Sequence, residues 1–312
     1  MLASTALFSG LVDYAGLFPP TALDMPSAVR NYEAYRRGPH AWMLGRLIVP
    51  ASRLGECESA RAELAAVEPA SPWRISALIG ADVEADIEAV LAFGAFPSAA
   101  ARPVVVDAWE ARVPSQDDIF RISARLPGRV RASFEIPVQG DARAARPALL
   151  DAIFHAGAAA KARTGGVTPA AIPTIAEVAG FLWDCACARV PFKATAGLHH
   201  RVRGEYRLTY AADSPTGVMH GFLNVFVAAA LARREASSLA QAARTDVPAV
   251  LTGVLEERDR DAFAVDADAV RWRHVVLSAS ELGDTRAGFA LSFGSCSFDE
   301  PVNELNAAGL LP

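Results

Sequence analysis

Residues 158–197, AAAKARTGGVTPAAIPTIAEVAGFLWDCACARVPFKATAG, decide how the rest of the chain is read. Two short apolar runs each lead into a Lys-containing segment that ends in glycine. Between them lies a stretch that opens at Pro173-Thr174 and keeps helical spacing to about residue 189. Strand, helix and strand, with strand starts near Ala158 and Val190, 32 residues apart, make one parallel βαβ unit.

The same period extends outward in both directions. Candidate strands begin near Phe8, Leu44, Arg74, Pro103, Arg129, Ala158 and Val190, at intervals of 36, 30, 29, 26, 29 and 32 residues, and an eighth begins near Phe289. Helices are predicted over 22–37, after Pro19-Pro20, and over 115–126, from Ser115 to the break at Pro127-Gly128. Eight strands with intervening helices predict an α/β fold, a closed (β/α)8 TIM barrel. The alternative, an open doubly wound sheet, lacks a GxGxxG fingerprint.

The gap from Val190 to Phe289 is 99 residues, so an insertion at about 204–288 is expected between strands seven and eight. With no low-complexity linker in view, residues 1–312 are read as one barrel domain carrying that insertion. Within it, residues 216–234 (TGVMHGFLNVFVAAALARR) read as a helix apolar on all sides, to be buried against the barrel or in a subunit interface. A homodimer is compatible with this helix.

Composition narrows the function. The 312 residues are 52% hydrophobic and 21% charged, enough for a large core, and a net charge of -5 argues against nucleic acid as the main ligand. Cys57, Cys185, Cys187 and Cys296 show no zinc-site spacing. The charge-free apolar stretches Met1–Val12 and Gly221–Ala232 are too short to span a bilayer, and the first runs into Asp13 without a basic leader. A cytoplasmic protein with no membrane partner is expected.

One count carries more weight. Of 30 basic residues, 28 are Arg, and the two lysines are Lys161 and Lys193. Both fall near the carboxyl ends of neighbouring predicted strands, the catalytic face of such a barrel. A lysine can shed its proton when desolvated or crowded by cations, and its free amine attacks a carbonyl to form a Schiff base; arginine cannot. Lys161 and Arg163 share one face of their strand, as do Lys193 and Thr195 and, on the fifth strand, Ser133 and Glu135. The competing reading is structural, an ion pair of Glu135 with Lys161 or Arg163 across adjacent strands.

The segments FKATAG and KARTGG resemble the two lysine-bearing strand motifs of class I aldolases of the deoxyribose-phosphate aldolase type, in the opposite chain order. The resemblance covers about a tenth of the chain. It implies that Lys193 is the Schiff-base residue and Lys161 the cation that activates it. Glu135 or Asp107 would then serve as general acid and base, with His199 in proton transfer or substrate contact.

Binding groups are expected from Asp13, Arg163, Thr164-Gly165-Gly166, His200, Arg201, Arg203, Ser295 and Ser297, since Gly- and Ser-rich turns offer N–H groups to an anion and arginines offer forks. The alternative for Ser297 is capping of the helix that Pro301 helps to start. No cofactor is expected, and a divalent metal is the alternative. His199, His200, His220, Asp13, Asp107 and Glu135 have the right ligand types but no HxH or HExxH spacing. His220 and Asn224 share a helix face. Cys296 is a candidate nucleophile without an identified histidine partner. The preferred function is a lyase that makes or breaks a C–C bond of a small anionic carbonyl substrate. The alternatives are a metal-assisted lyase, hydrolase or isomerase, and a non-catalytic barrel that binds a partner through 216–234.

Overall fold

A computed structural model describes residues 1–64, 72–94, 104–126, 130–238 and 246–311. Eight parallel strands close a TIM-type barrel: β1 (Val12–Tyr14), β2 (Leu44–Pro50), β3 (Trp73–Ile79), β4 (Val104–Arg112), β5 (Arg131–Glu135), β6 (Ala159–Arg163), β7 (Phe192–Thr195) and β8 (Ala290–Ser295). They neighbour one another in chain order, and β8 pairs with β1 to complete the ring. Each is followed by a helix: α1 (Met25–Arg37), α2 (Leu54–Ala62), α3 (Val83–Phe93), α4 (Gln116–Arg125), α5 (Arg146–His155), α6 (Ile175–Ala188), α7 (Phe222–Ser238) and α8 (Asp299–Ala307).

Local chemistry sets these helix boundaries. Asp24 and Ser115 accept hydrogen bonds from main-chain N–H groups in the first turns of α1 and α4, and Thr174 and Glu177 form a capping box at α6. Outward-facing strand residues, among them Leu47, Val49, Ile75, Phe134, Phe192 and Phe293, are buried in the apolar layer between strands and helices. The stretch Pro169–Ala188 has the length and apolarity of a membrane span, yet Val178, Phe181, Leu182 and Cys185 of α6 lie in that same buried layer.

Two expectations need correction. The segment at Phe8 is the end of a helix, Ala3–Phe8, and the first strand begins at Val12. The starting points near Pro103 and Arg129, and the helix stop at Pro127-Gly128, lie outside the described residues; the corresponding strands run from Val104 and Arg131. Residues 216–234 are not one helix. Thr216–Met219 is a strand paired antiparallel with Gly204–Arg207, and the helix starts at Phe222.

That helix is the barrel's own seventh, and its residues 222–232 are buried in the intrachain core against β8 and α6. The rest of the β7–β8 connection holds the hairpin, a helix Ala249–Glu256, a small antiparallel sheet over Phe263–Ser278 and a helix Ala279–Gly288. Arg286 of that last helix donates to the carbonyls of Leu7, Ser9, Ala290 and Leu291, pinning the first helix to the start of β8.

Candidate active site

The inward face of the barrel is unusual because it is charged. On β5 the sequence Arg131-Ala132-Ser133-Phe134-Glu135 alternates polar and apolar, and Phe134 is the one that packs outward. Strand register then sets Glu135 opposite Lys161, and Lys161 opposite Lys193. Three charged side chains therefore lie at one level across β5, β6 and β7.

Two more carboxylates complete a row. Lys193 Nζ donates to Asp13 Oδ2 at 2.7 Å and to Glu110 Oε1 at 2.6 Å. Lys161 Nζ lies 2.9 Å from Glu110 Oε2 and 3.1 Å from Glu135 Oε2, and Arg163 Nε donates to Glu135 Oε1 at 3.2 Å. From β1 around to β6 the order is Asp13, Lys193, Glu110, Lys161, Glu135, Arg163, with alternating sign. Neutral donors fill the remaining lone pairs: Ser292 Oγ and the Arg46 main chain on Asp13, and Ser76 Oγ on Glu110, each at 2.7 Å. The expected pairs of Glu135 with Lys161 and Arg163 are both present.

The charges hold one another. Burial favours the neutral form of Glu110, but Lys161 and Lys193 outweigh it and keep the carboxyl well below the usual range. Asp13, buried in the same way, is held low by Lys193 and Arg46, and Glu135 by Lys161 and Arg163. Burial pulls Lys193 down, yet Asp13 and Glu110 raise it above the ordinary lysine value. Lys193 is thus a cation clamped between two carboxylates, contrary to the expectation that neighbouring cations would lower its pKa.

Above the row opens a cavity of about 320 Å³, lined by Glu110, Lys161, Arg163, His199 and Cys296 among apolar side chains such as Phe18, Ile48, Leu78 and Met219. Lys193 is not in that lining, whereas Lys161 is. A second hollow of about 370 Å³ adjoins it and shares Pro20, His199, Leu208 and Met219.

A second polar group reaches the cavity from the loops after β7 and β8. His199 Nδ1 lies 2.6 Å from Glu300 Oε2, and its Nε2 lies 4.0 Å from Cys296 Sγ. Tyr210 Oη donates to Glu300 Oε1 at 3.0 Å and sits 3.8 Å from Cys296 Sγ. The next histidine repeats the pattern one helical turn on: His200 Nδ1 is 2.7 Å from Glu304 Oε1, and its ring stacks on Tyr206. Burial lowers His199, but Cys296 and Glu300 push it up to about 9. Burial raises the Cys296 thiol, and His199 more than reverses that, leaving it below the ordinary value.

Other expected residues lie elsewhere or do structural work. Asp107, expected as a catalytic acid or base, sits lower in the barrel, where Arg46 grips it with bonds of 2.6 and 2.9 Å. Glu110, three residues on, takes its place. Asp13 is buried beneath the cavity as a partner of Lys193 and is not in its lining.

Thr164 Oγ1 donates to Ala196 O at 2.7 Å, and a Cβ on Gly165 would come within 2.8 Å of Gly197 Cα, so this glycine permits close packing of two loops; Gly166 does line the cavity. Ser297 Oγ accepts from Glu300 N at the start of α8, and Ser295 is buried with its Oγ accepting from Ser297 N. Arg201 donates to Arg260 O, and the Arg203 main chain donates to Asn224 Oδ1. Neither arginine lines either cavity. Asn224 is fully engaged with Val254 O and Glu257 O, and His220 Nε2 is 2.7 Å from Pro173 O.

As for a metal, the two ammonium groups occupy the spaces between the carboxylates. Among the described residues no three His, Cys, Asp or Glu side chains are grouped to hold an ion. The partnership of Cys296, His199 and Glu300 escaped sequence reading. The available signal was the four-residue spacing of Glu300 and Glu304, which faces adjacent histidines from successive helical turns. No protein-family model, no curated protein and no solved structure matches this chain.

Proposed function

We propose that this chain is an enzyme, a lyase that makes or breaks a carbon–carbon bond in a small anionic carbonyl compound through an imine at Lys161. The observation that carries the reading is that Lys161 lines the cavity while Lys193 does not. The roles implied by the aldolase resemblance are thereby exchanged. Lys161 is the amine that meets substrate, and Lys193 is the buried cation that keeps Glu110 ionised next to it.

Arg163 supplies a fork for a carboxylate or phosphate, and the apolar lining accepts a short carbon skeleton. For attack, the Lys161 ammonium passes one proton to Glu135, whose side chain is 11% exposed against 1% for Glu110, so it is the partner with a route to water. The free amine then adds to the carbonyl carbon. In the adduct one proton moves from nitrogen to oxygen, and the proton held by Glu135, which stands outside the cavity lining, reaches that oxygen through solvent water, so ammonium plus carbonyl becomes iminium plus water. In the cleavage direction the iminium accepts the electron pair of the breaking C–C bond and becomes an enamine, while the hydroxyl on the departing carbon releases its proton through water to Glu135 and becomes a carbonyl, the step that defines the reaction class.

Borohydride reduction in the presence of small aldehydes and keto acids, followed by peptide mapping, tests this. The expected product is a reduced adduct on Lys161 that Lys161→Met abolishes. Adduct on neither lysine, together with activity lost to a chelator, would replace the imine with metal-assisted chemistry.

A further inference from the structure

The cavity that Lys161 lines also bears a different kind of reactive group. We propose that Cys296, His199 and Glu300 form a nucleophilic thiolate centre that acts on the acyl carbon of a short ester or thioester. The inference stands independently of the imine at Lys161.

Three observations carry it. The His199 ring bridges the other two groups, with Nε2 4.0 Å from Cys296 Sγ and Nδ1 2.6 Å from Glu300 Oε2, so the carboxylate orients the ring toward the sulfur. Cys296 and His199 are both in the lining of the cavity, with Phe18, Pro19, Ile48, Leu78 and Met219 around them to receive an apolar acyl chain. Two of the other cysteines differ. Cys57 and Cys185 are buried in the core, and burial pushes the Cys57 thiol up to about 12 and Cys185 higher than its ordinary value.

The charged and titratable groups facing Cys296 are His199 from the loop after β7, Tyr210 from the hairpin, Glu300 from α8 and Tyr14 from β1. Among them His199 is the cation, and its imidazolium balances the thiolate.

In the reaction the Cys296 sulfur bonds to the acyl carbon and the carbonyl π pair moves onto oxygen. The pair returns as the bond to the leaving group breaks, and the leaving group departs with the Nε2 proton of His199. Water, losing a proton to the now neutral Nε2, adds to the acyl carbon and expels the thiolate. The products are a carboxylic acid and an alcohol or thiol, and the thiolate–imidazolium pair is restored.

The full chain serves for the test. Alkylation by iodoacetamide is followed against pH with peptide mapping, and acylation is followed with p-nitrophenyl acetate. Cys296 is expected to be the fastest of the four cysteines, with a pH midpoint below that of a free thiol, and to carry the acetyl label. His199→Gln is expected to move the midpoint up to that of an ordinary thiol and slow alkylation on the acid side about tenfold. Glu300→Gln is expected to have a smaller effect in the same direction. Cys296→Ser, with an unchanged melting temperature, should remove the label. A midpoint unmoved in both folded variants, or acetyl found on another residue, overturns the proposal. Borohydride adducts at Lys161 are a separate readout, so the two readings fail separately.

Discussion

The two ends of the barrel interior solve the same problem with different cations. Toward the amino ends of the strands the cations are arginines. Arg46 grips Asp107 with two bonds, and Arg74 Nε adds a third at 2.9 Å. Toward the carboxyl ends two lysines are each shared between two carboxylates, and Arg163 closes the row on Glu135. A guanidinium saturates one carboxylate through a planar fork and tolerates water, as Arg74 does at 52% side-chain exposure. An ammonium is a compact point charge that fits between two acids, so charges of alternating sign close into a row. Both lysines of the sequence stand in that row.

The comparison breaks most readily at Glu110. Glu110→Ala would leave two buried ammoniums facing each other, with an expected loss of about 3–5 kcal/mol in urea unfolding. A loss under about 1 kcal/mol would show that the row is not what holds the carboxyl ends together. Acid titration sharpens the point. Asp13, Glu110 and Glu135 all have carboxyls held low, so their contribution is complete above the unfolded carboxylate range near pH 4 and is lost as pH falls through their folded values.

Lys193 is held high, so its contribution is complete below the unfolded lysine value near 10.4 and is lost only as pH rises through its folded value. Unfolding stability measured from pH 2 to 6 should rise with a slope that Glu110→Gln flattens. At the amino end smaller effects are expected. Arg46→Met should cost about 1–2 kcal/mol, because Arg74 remains on Asp107, and Arg74→Ala about 0–1 kcal/mol. Equal losses at the two ends would remove the distinction between fork and shared charge.

Much of the fold was legible because a strand plus its crossover helix occupies a nearly constant length, and that period survives in the positions of apolar runs. The exceptions are local. The run ending at Phe8 is apolar enough for a strand but packs as a helix against the helix Ala279–Gly288. Residues 216–219 form a hairpin strand that precedes the helix read from its apolar continuation.

The site was half legible. Lys161, Lys193 and Glu135 could be placed from strand ends and alternation alone. Asp107 could not be told from Glu110, because the register between β3 and β4 shifts after Ile75, and such a shift changes which residues face inward. Cys296 and His199 are 97 positions apart, joined only by the closure of β8 onto β7. No periodicity within one strand reports a contact between two.

The abutment of Gly165 on Gly197 has a mechanical consequence. With Thr164 bonded across to Ala196 and no side chain between the glycines, the loops that follow the two lysine-bearing strands are stitched together at close range. That side of the mouth is a fixed jamb. The rest of the rim is side chain, with Pro19, Pro20, Leu208 and Met219 in the cavity lining. Evolution could retune what this barrel admits by editing that rim, while the stitched side and the charges beneath it stay unchanged.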